Sequence, residues 1–235
     1  KINLYLKIGK KLSSGYHNLQ SVMQKIELSD NVSVDLLNED RIIVECTNKE
    51  LEDENNLAHQ AALLLKKKFK VKHGARVYIE KNVPIEAGLG GGSSDAATTL
   101  MSLNKLWGLR LKEKQLVDIA SQIGSDVPFF IGDEAALVEG IGDKIKRIKK
   151  SFSINIVLIN PGFRVSTEWA YGAFDKQTHE NQRFSGHRKS KGFSREIKEK
   201  INAELNPSFN SSKEFVIRKT NFVSERTFAI KANKA

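Results

Sequence analysis

The stretch Val83-Pro84-Ile85-Glu86-Ala87-Gly88-Leu89-Gly90-Gly91-Gly92-Ser93-Ser94-Asp95-Ala96-Ala97 joins four glycines to the start of a helix through two hydroxyl side chains. Glycine adopts positive φ and lets backbone N–H groups converge on an anion without interference from a Cβ atom. A helix that follows such a loop adds its unpaired first-turn N–H groups and the positive end of its dipole. The stretch therefore predicts a phosphate-binding loop that leads into a helix.

The helix after the loop is indicated by apolar residues at helical spacing, and Gly108 closes the segment. Ser93 or Ser94 is the expected N-cap, because a hydroxyl accepts a hydrogen bond from a first-turn N–H group. The apolar positions are Ala96, Leu100, Leu103 and Trp107.

Two familiar glycine motifs fit this loop badly. A Walker A loop ends in Gly-Lys-Ser/Thr, and no lysine follows Gly92. A dinucleotide fingerprint needs a third glycine where Ser93 stands and opens the first βαβ unit, whereas this loop begins after more than eighty residues. The alternative is a turn with only a capping role, but four glycines within residues 88–92 cost conformational entropy that a plain turn does not require. We therefore favour an anion site.

The composition indicates a globular chain of one large core or two small ones, since it has 235 residues of which 40% are apolar. No segment reaches the apolar length of a membrane span, so we expect a soluble protein without a membrane partner. The single cysteine, Cys46, excludes an internal disulfide and a cysteine-built metal site. This suits a reducing, cytoplasmic location, with Cys46 as a small core residue of a strand.

The net charge of +10 is concentrated at one end of the chain. Residues 176–235 hold 14 Lys/Arg against 6 Asp/Glu, a net +8, which leaves +2 for residues 1–175. The charge of the whole chain suggests nucleic acid, but its distribution confines the basic character to the tail. We expect no nucleic-acid partner, and a non-catalytic RNA binder that uses the tail remains the alternative from another functional class.

The order of predicted elements indicates an α+β fold without sustained βα alternation. Residues 32–37 and 42–46 are expected as a pair of strands around Asn38-Glu39-Asp40. Gly124 is expected to stop the second of two further helices. The predicted strands are 2–8, 32–37, 42–46, 76–80, 135–138 and 154–159, and these helices are 53–68 and 113–123.

Several blocks of the chain resemble the GHMP kinases, named for galactokinase, homoserine, mevalonate and phosphomevalonate kinases. The Gly-Leu-Gly-Gly-Gly-Ser-Ser run is typical of the superfamily, and Gly15-Tyr16-His17 is similar to the branch that acts on 4-diphosphocytidyl-2-C-methyl-D-erythritol in non-mevalonate isoprenoid synthesis. The blocks are Lys1-Ile2-Asn3-Leu4-Tyr5-Leu6, Gly15-Tyr16-His17 with Leu19-Gln20, 84–97, Gly124-Ser125-Asp126-Val127-Pro128-Phe129-Phe130, 139–143 and Asn160-Pro161-Gly162.

The resemblance implies a GHMP kinase fold with an N-terminal ATP-binding domain over 1–150, of the ribosomal protein S5 domain 2 type. A C-terminal α/β-plait domain would begin over 151–175. The family closes its cleft with another glycine-rich loop, whereas the only glycines of residues 176–235 are Gly186 and Gly192. We therefore expect this second domain to be truncated or divergent, with 176–235 a basic tail that is a loop or disordered.

The resemblance also implies ATP-dependent phosphorylation of the 2-hydroxyl of 4-diphosphocytidyl-2-C-methyl-D-erythritol, with ATP and Mg²⁺ as cofactors. Asp126 is implied as the base that takes the hydroxyl proton, with Lys1 beside it. One positioned carboxylate suffices for phosphoryl transfer, which depends on positioning and charge neutralisation. Ser94 is implied as a Mg²⁺ contact, and the ATP-binding residues are Pro84, Gly88, Leu89, Gly90, Gly91, Gly92, Ser93 and Ser94.

Tyr16 and His17 are implied at the cytidine end of the substrate, where an aromatic face stacks on a base and an imidazole hydrogen-bonds its edge. Asn3, Thr167 and Tyr171 match further substrate positions. The implied partner is this small molecule, with the protein a monomer or weak homodimer. The alternatives within the resemblance are another GHMP small-molecule kinase and a catalytically impaired copy.

Overall fold

The computed structural model describes residues 1–132, 135–148, 156–160, 170–172 and 174–175. The chain divides into two units, Lys1–Phe152 and Ser153–Ala235. The first unit contains every strand described below and the helices that pack on them. The predictions for Thr167 and for residues 176–235 lie outside the described residues.

The described part of the first unit contains seven strands, four α-helices and one short 3₁₀ turn, in a mixed order that confirms the predicted α+β class. Along the chain they are β1 (Ile2–Lys11), β2 (His17–Gln24), β3 (Asn31–Leu37), β4 (Ile42–Cys46), the 3₁₀ turn (Lys49–Leu51), α1 (Leu57–Phe69), β5 (Gly74–Glu80), α2 (Gly91–Leu106), α3 (Glu113–Ala120), α4 (Val127–Ile131), β6 (Ala135–Gly140) and β7 (Lys144–Ile148).

The strands form two sheets. The first has the order β1-β2-β6-β7 and is antiparallel throughout, with Gln24 of β2 opposite Ala135 of β6. The second has the order β3-β5-β4, with β5 antiparallel to β3 and parallel to β4. The prediction that residues 32–37 and 42–46 pair with each other is therefore wrong, because β5 lies between them.

The main core forms between the helices and the inner faces of both sheets. Alanines of α1 and α2 are fully buried, and their small side chains allow the helices to approach closely. Phe129 of α4 is buried among them and meets Phe130 edge to face, with ring centroids 5.2 Å apart. Cys46 is buried in a smaller core beside β5, as predicted.

Three predicted boundaries are corrected. The first helix begins at Leu57 rather than at residue 53, because Asp53 accepts from the N–H of Asn55 and Asn56 caps the helix by accepting from Ala58. Helix α3 ends at Ala120, three residues before the predicted end. Gly124 lacks the positive φ expected of a C′ glycine.

The N-cap of α2 is Gly90, not Ser93 or Ser94. Gly90 adopts the left-handed conformation with φ 74° and ψ 29°, so the helix begins at once and both serines lie in its first turn. Helix α4 and strands β2 and β7 have no counterpart among the predicted elements. Conversely, residues 156–159 are not a strand, although the sequence predicts one over 154–159.

Candidate active site

The glycine loop has the backbone conformation that an anion cradle requires. Gly88 and Gly90 have φ of 73° and 74°. A Cβ atom on Gly90 would lie 3.2 Å from Lys1 Cε and 3.2 Å from Phe130 Cζ, closer than side chains normally pack. The N–H of Ser94 donates to the Gly90 carbonyl (2.9 Å) and closes the first turn of α2. The N–H groups before Ser94 therefore lie at the open end of a sixteen-residue helix.

Lys1 ties the start of β1 to this loop. Its Nζ donates to the Gly88 carbonyl (3.0 Å) and to Asn3 Oδ1 (2.9 Å), and its backbone nitrogen donates to the Leu89 carbonyl (2.8 Å). The side chain is only 7% exposed. Lys1 is thus held by the loop that the sequence predicts to bind phosphate.

Asp126 lies on the other side of Lys1. Its Oδ2 is 3.4 Å from Lys1 Nζ, and its side chain is 31% exposed. Asp126 is the N-cap residue of α4, but its side chain makes no capping hydrogen bond. The carboxylate is therefore beside the ammonium group and open to solvent, as a base that meets a substrate hydroxyl must be.

Helix α4, which begins directly after Asp126, is anchored at its other end by two cations. Lys25 Nζ donates to the carbonyls of Phe130 (3.1 Å) and Gly132 (2.7 Å). Arg147 donates from Nη1 to Phe129 (2.7 Å) and from Nη2 to Pro128 (3.1 Å). Four carbonyls at the end of this short helix thereby accept hydrogen bonds from charged donors. Cations at this end also interact favourably with the helix dipole.

Asn3 joins the Lys1 network to strand β2. Its Nδ2 donates to Ser21 Oγ (2.7 Å), and Ser21 Oγ donates to the Tyr5 carbonyl (2.7 Å). Ser21 is fully buried. Asn3 is therefore placed next to Lys1, where it contacts protein groups, and its substrate-side role stays a prediction.

Two further predicted substrate residues lie at the end of the first hairpin. Tyr16 is 61% exposed and His17 is buried, at the turn end of the β1–β2 hairpin, where His17 pairs with Lys11. Two register irregularities bend this hairpin between its turn and Lys1. Tyr16 and His17 are therefore at the opposite end of the β1–β2 hairpin from Lys1. Tyr171 is half-buried within the second unit.

A buried charge cluster lies beneath the start of α2. Lys81 Nζ is 2.5 Å from Asp30 Oδ2 and 2.8 Å from Asp95 Oδ2. Asp30 Oδ1 also accepts from the backbone N–H groups of Asn82 (2.6 Å) and Val83 (2.8 Å). The side chains of Lys81, Asp30 and Asp95 are 8%, 1% and 5% exposed.

The two carboxylates of this cluster differ in their pKa values. Burial raises the pKa of Asp95 to about 7, against the opposing effect of Lys81. Burial would also raise the pKa of Asp30, but hydrogen bonds from Lys81, Val83 and Asn82 outweigh it and hold this pKa below its ordinary value. Asp30 is therefore the firmly ionised partner of Lys81.

An open pocket of about 350 Å³ borders the segment that leads into the glycine loop. This volume is at the lower end of the range for small-molecule sites, roughly 300–1,000 Å³. Its lining combines backbone, amide and hydroxyl groups with a few apolar side chains: Thr47, Asn48, Lys81, Asn82, Val83, Pro84 and Ile85.

No group of three or more His, Cys, Asp or Glu side chains in the described ranges is placed to hold a metal ion. Nor does any helix in the part of the chain that the structure describes combine the length and apolarity needed to cross a bilayer.

Comparison with known proteins identifies the family. The model of the GHMP kinases N terminal domain matches residues 56–133, which include the glycine loop and Asp126. A 4-diphosphocytidyl-2-C-methyl-D-erythritol kinase from Caldicellulosiruptor bescii is 44% identical over 176 residues, which are 74% of this chain and 62% of the relative. The chain belongs to the GHMP kinase superfamily. A second kinase of the same name, from Clostridioides difficile, is 44% identical over 74% of this chain and 60% of its own length.

Solved structures agree with this membership and confirm the predicted GHMP kinase fold. A 4-(cytidine 5'-diphospho)-2C-methyl-D-erythritol kinase is 31% identical, with a TM-score of 0.60 over 74% of this chain and 61% of the other. The L. major mevalonate kinase, solved with R-mevalonate, is 14% identical with a TM-score of 0.56, covering 69% of this chain and 56% of its own, and so shows the fold alone. This chain spans about three-fifths of the length of the relatives it matches.

The predicted residues Lys1, Asn3 and Asp126 and the glycine loop meet in one place, whereas the buried cluster of Asp30, Lys81 and Asp95 is not predicted by the sequence. Asp95 belongs to the stretch that contains the glycine loop. A charged residue directly before Ala96, which is on the apolar face of the helix, is the one local signal in the sequence for a buried charge. Lys81 and Asp30 are separated by 51 residues, so no spacing pattern relates them.

Proposed function

We propose that this chain is an ATP-dependent kinase that phosphorylates the 2-hydroxyl of 4-diphosphocytidyl-2-C-methyl-D-erythritol. One observation carries the proposal: Lys1 Nζ lies 3.4 Å from Asp126 Oδ2 while it donates to the Gly88 carbonyl of the glycine loop (3.0 Å). The ammonium group of Lys1 therefore contacts both the candidate base, Asp126, and the glycine loop proposed to bind phosphate. The curated relatives with this substrate in their names support the choice of acceptor.

In this mechanism Asp126 accepts the proton of the acceptor hydroxyl. Its carboxylate is partly exposed and makes no capping bond that would have to break first. Lys1, buried but for 7% of its side chain, presents its ammonium group beside the carboxylate, where it can stabilise charge on a phosphoryl oxygen. A positioned general base contributes about 10²–10⁴-fold to the rate of such reactions.

The glycine loop fits a nucleotide phosphate group. Gly90 has positive φ and packs closely against Lys1 and Phe130, where a Cβ atom would be crowded, and the first-turn N–H groups of α2 lie at the positive end of its dipole. Bound ATP supplies the phosphoryl group that is transferred. The residues proposed to hold it are Pro84, Gly88, Leu89, Gly90, Gly91, Gly92, Ser93 and Ser94.

Mg²⁺ is proposed at the same end of α2, with the hydroxyl of Ser94 as its protein contact. Mg²⁺ in kinases is bound through one or two protein groups together with substrate phosphates and waters rather than by an all-protein cage. Among the described residues, no group of three or more His, Cys, Asp or Glu side chains forms such a cage.

At the acceptor end, Tyr16 is proposed to stack on the cytosine ring and His17 to hydrogen-bond its edge. Tyr16 is exposed and therefore available for stacking. Asn3, next to Lys1, is proposed near the methylerythritol, and Thr167 and Tyr171 are proposed to complete the substrate site. We propose that the chain is a monomer or a weak homodimer, and sedimentation would measure this oligomeric state.

The experiment that tests the function is an ADP-release assay run in parallel with 4-diphosphocytidyl-2-C-methyl-D-erythritol, mevalonate and homoserine. We expect ADP release with the first acceptor only. Release with mevalonate or homoserine instead would assign the chain to another kinase of the superfamily. If the chain binds ATP but releases no ADP with any acceptor, it is not an active kinase on its own.

A further inference from the structure

We infer that Lys81, Asp30 and Asp95 are positioning residues that hold the glycine loop in its ligand-ready conformation before nucleotide binds. This inference rests on the proposed function, because it concerns the ATP side of the same site. It assigns a role to three buried charged groups that the proposed phosphoryl transfer does not itself use.

The cluster connects the two ends of the loop. Lys81 follows β5 and precedes the loop, and Asp95 lies in the second turn of α2, after the loop. The 2.8 Å bond between Lys81 Nζ and Asp95 Oδ2 therefore joins both ends across the residues that form the cradle. Because the ends of the loop are fastened, its conformational freedom is reduced before a ligand arrives.

Asp30 adds a third point of attachment from the connection between β2 and β3. One of its carboxylate oxygens accepts from the N–H groups of Asn82 (2.6 Å) and Val83 (2.8 Å), and the other from Lys81 Nζ (2.5 Å). Three successive residues before Pro84 are thus held by one buried carboxylate. The direction in which the chain enters the loop is therefore set by Asp30.

Gly91 shows that the helix start lies directly on the cluster. A Cβ atom at this position would be 3.1 Å from Lys81 Nζ, 3.2 Å from Val83 Cγ1 and 3.3 Å from Asp30 Oδ2. Gly91 does not have positive φ, so the glycine is required for space and not for its conformation. The cluster and the first residue of α2 are therefore in close contact.

Stability alone is a poor reason for such a cluster. Desolvation of buried ions offsets most of their mutual attraction, and apolar residues of similar volume often stabilise a protein as well or better. Directional charged hydrogen bonds, in contrast, place backbone groups with fixed geometry. The role that the geometry supports is therefore the placement of the loop.

Hydrogen exchange of the full chain without nucleotide tests this inference. Lys81→Met removes the cation, and Lys66→Met is the matched control, since Lys66 is also mostly buried (12% exposed) and donates to the Val71 and His73 carbonyls away from the loop. We expect the amides of residues 82–83 and 94–96 to exchange at least about tenfold faster in Lys81→Met, with residues 113–120 unchanged. Lys66→Met should leave the amides around the loop as in the parent.

Asp95→Asn is the second variant, because it preserves shape while replacing the carboxylate partner of the Lys81 ammonium group by a neutral amide oxygen. It should accelerate the same amides by a smaller factor, and it decides the question if Lys81→Met does not fold. Unchanged exchange around the loop in the folded variants would overturn the inference.

Calorimetry with ATP separates this inference from the proposed function. We expect ATP to bind at least about tenfold more weakly to Lys81→Met than to the parent. A parent that does not bind ATP would contradict the proposed function, while the exchange rates would still decide whether the cluster positions the loop.

Discussion

At the scale of single residues, the contact between Lys1 and Asp126 defines the proposed reaction centre, and Asp126→Asn tests it. The amide keeps the shape of the carboxylate but cannot accept the hydroxyl proton. We expect turnover to fall by about 10²–10⁴-fold while the Kd for ATP stays near that of the parent. Asp118→Asn, on the exposed face of α3, is the control. Parent-like turnover in Asp126→Asn would remove Asp126 from the role of base.

Gly90 and Gly108 form a matched pair for testing the cradle. Both have positive φ, 74° and 63°, but a Cβ atom on Gly90 would meet other side chains within 4 Å, whereas a Cβ atom on Gly108 would point into open space. Alanine at either position costs roughly 1–2 kcal/mol of backbone strain. We expect Gly90→Ala to weaken ATP binding at least about tenfold, and Gly108→Ala to leave it unchanged, in calorimetry. Equal ATP affinities would indicate a loop with a turn function only.

At the scale of elements, α4 holds Asp126 in place because Lys25 and Arg147 anchor the carbonyls at its other end. Arg147→Met leaves the Pro128 and Phe129 carbonyls without their charged donors. We expect a loss of roughly 1.5–3 kcal/mol in the free energy of unfolding, measured in urea. Arg76→Met is the control, since Arg76 is about half exposed on β5 and its loss should cost under about 0.5 kcal/mol. A similar loss in both variants would show that the anchor contributes nothing specific.

The sequence predicts the elements whose signals are local. The loop and helix α2 follow from adjacent glycines and from the buried face of Ala96, Leu100 and Leu103, all three of which are confirmed as core residues. Helix α4 is missed because its five residues include Pro128 and are buried on all sides, which leaves no periodicity.

Strand pairing is not predictable for a different reason. Residues 32–37 and 42–46 are near in sequence and look like a hairpin, but β5, which begins 28 residues after the end of β4, lies between them and is paired on both edges. The buried side chains of β5 are Ala75, Val77 and Ile79, which are part of the hydrophobic core. Contacts of this kind depend on the whole fold, as does the cluster of Asp30, Lys81 and Asp95.

At the scale of the whole molecule, the free energy of unfolding of the first unit should depend on pH through the carboxyl group of Asp30. Because its folded pKa is below the ordinary value of 3.8, Asp30 stabilises the fold fully above that value, and this contribution is lost as the pH falls through the folded pKa. We expect Asp30→Asn to be less stable than the parent by roughly 1.5–3 kcal/mol at pH 5, with the difference shrinking towards pH 2.

Urea unfolding at several pH values measures this difference, with Asp118→Asn as the control. Asp118 is exposed on α3, so its substitution should leave the curve close to that of the parent. A difference for Asp30→Asn that is constant down to pH 2 would show that its carboxylate is not the group responsible.

The position of β6 beside β2 has a consequence for how this chain is made. Gln24 pairs with Ala135, 111 residues later, so β2 has no neighbour on that side until β6 has left the ribosome. At a synthesis rate of roughly 5–20 residues per second, this edge stays open for about 6 to 22 s. An unpaired strand edge is a site for aggregation. The nascent chain therefore passes through a long interval in which the edge of β2 is open to pairing with other chains.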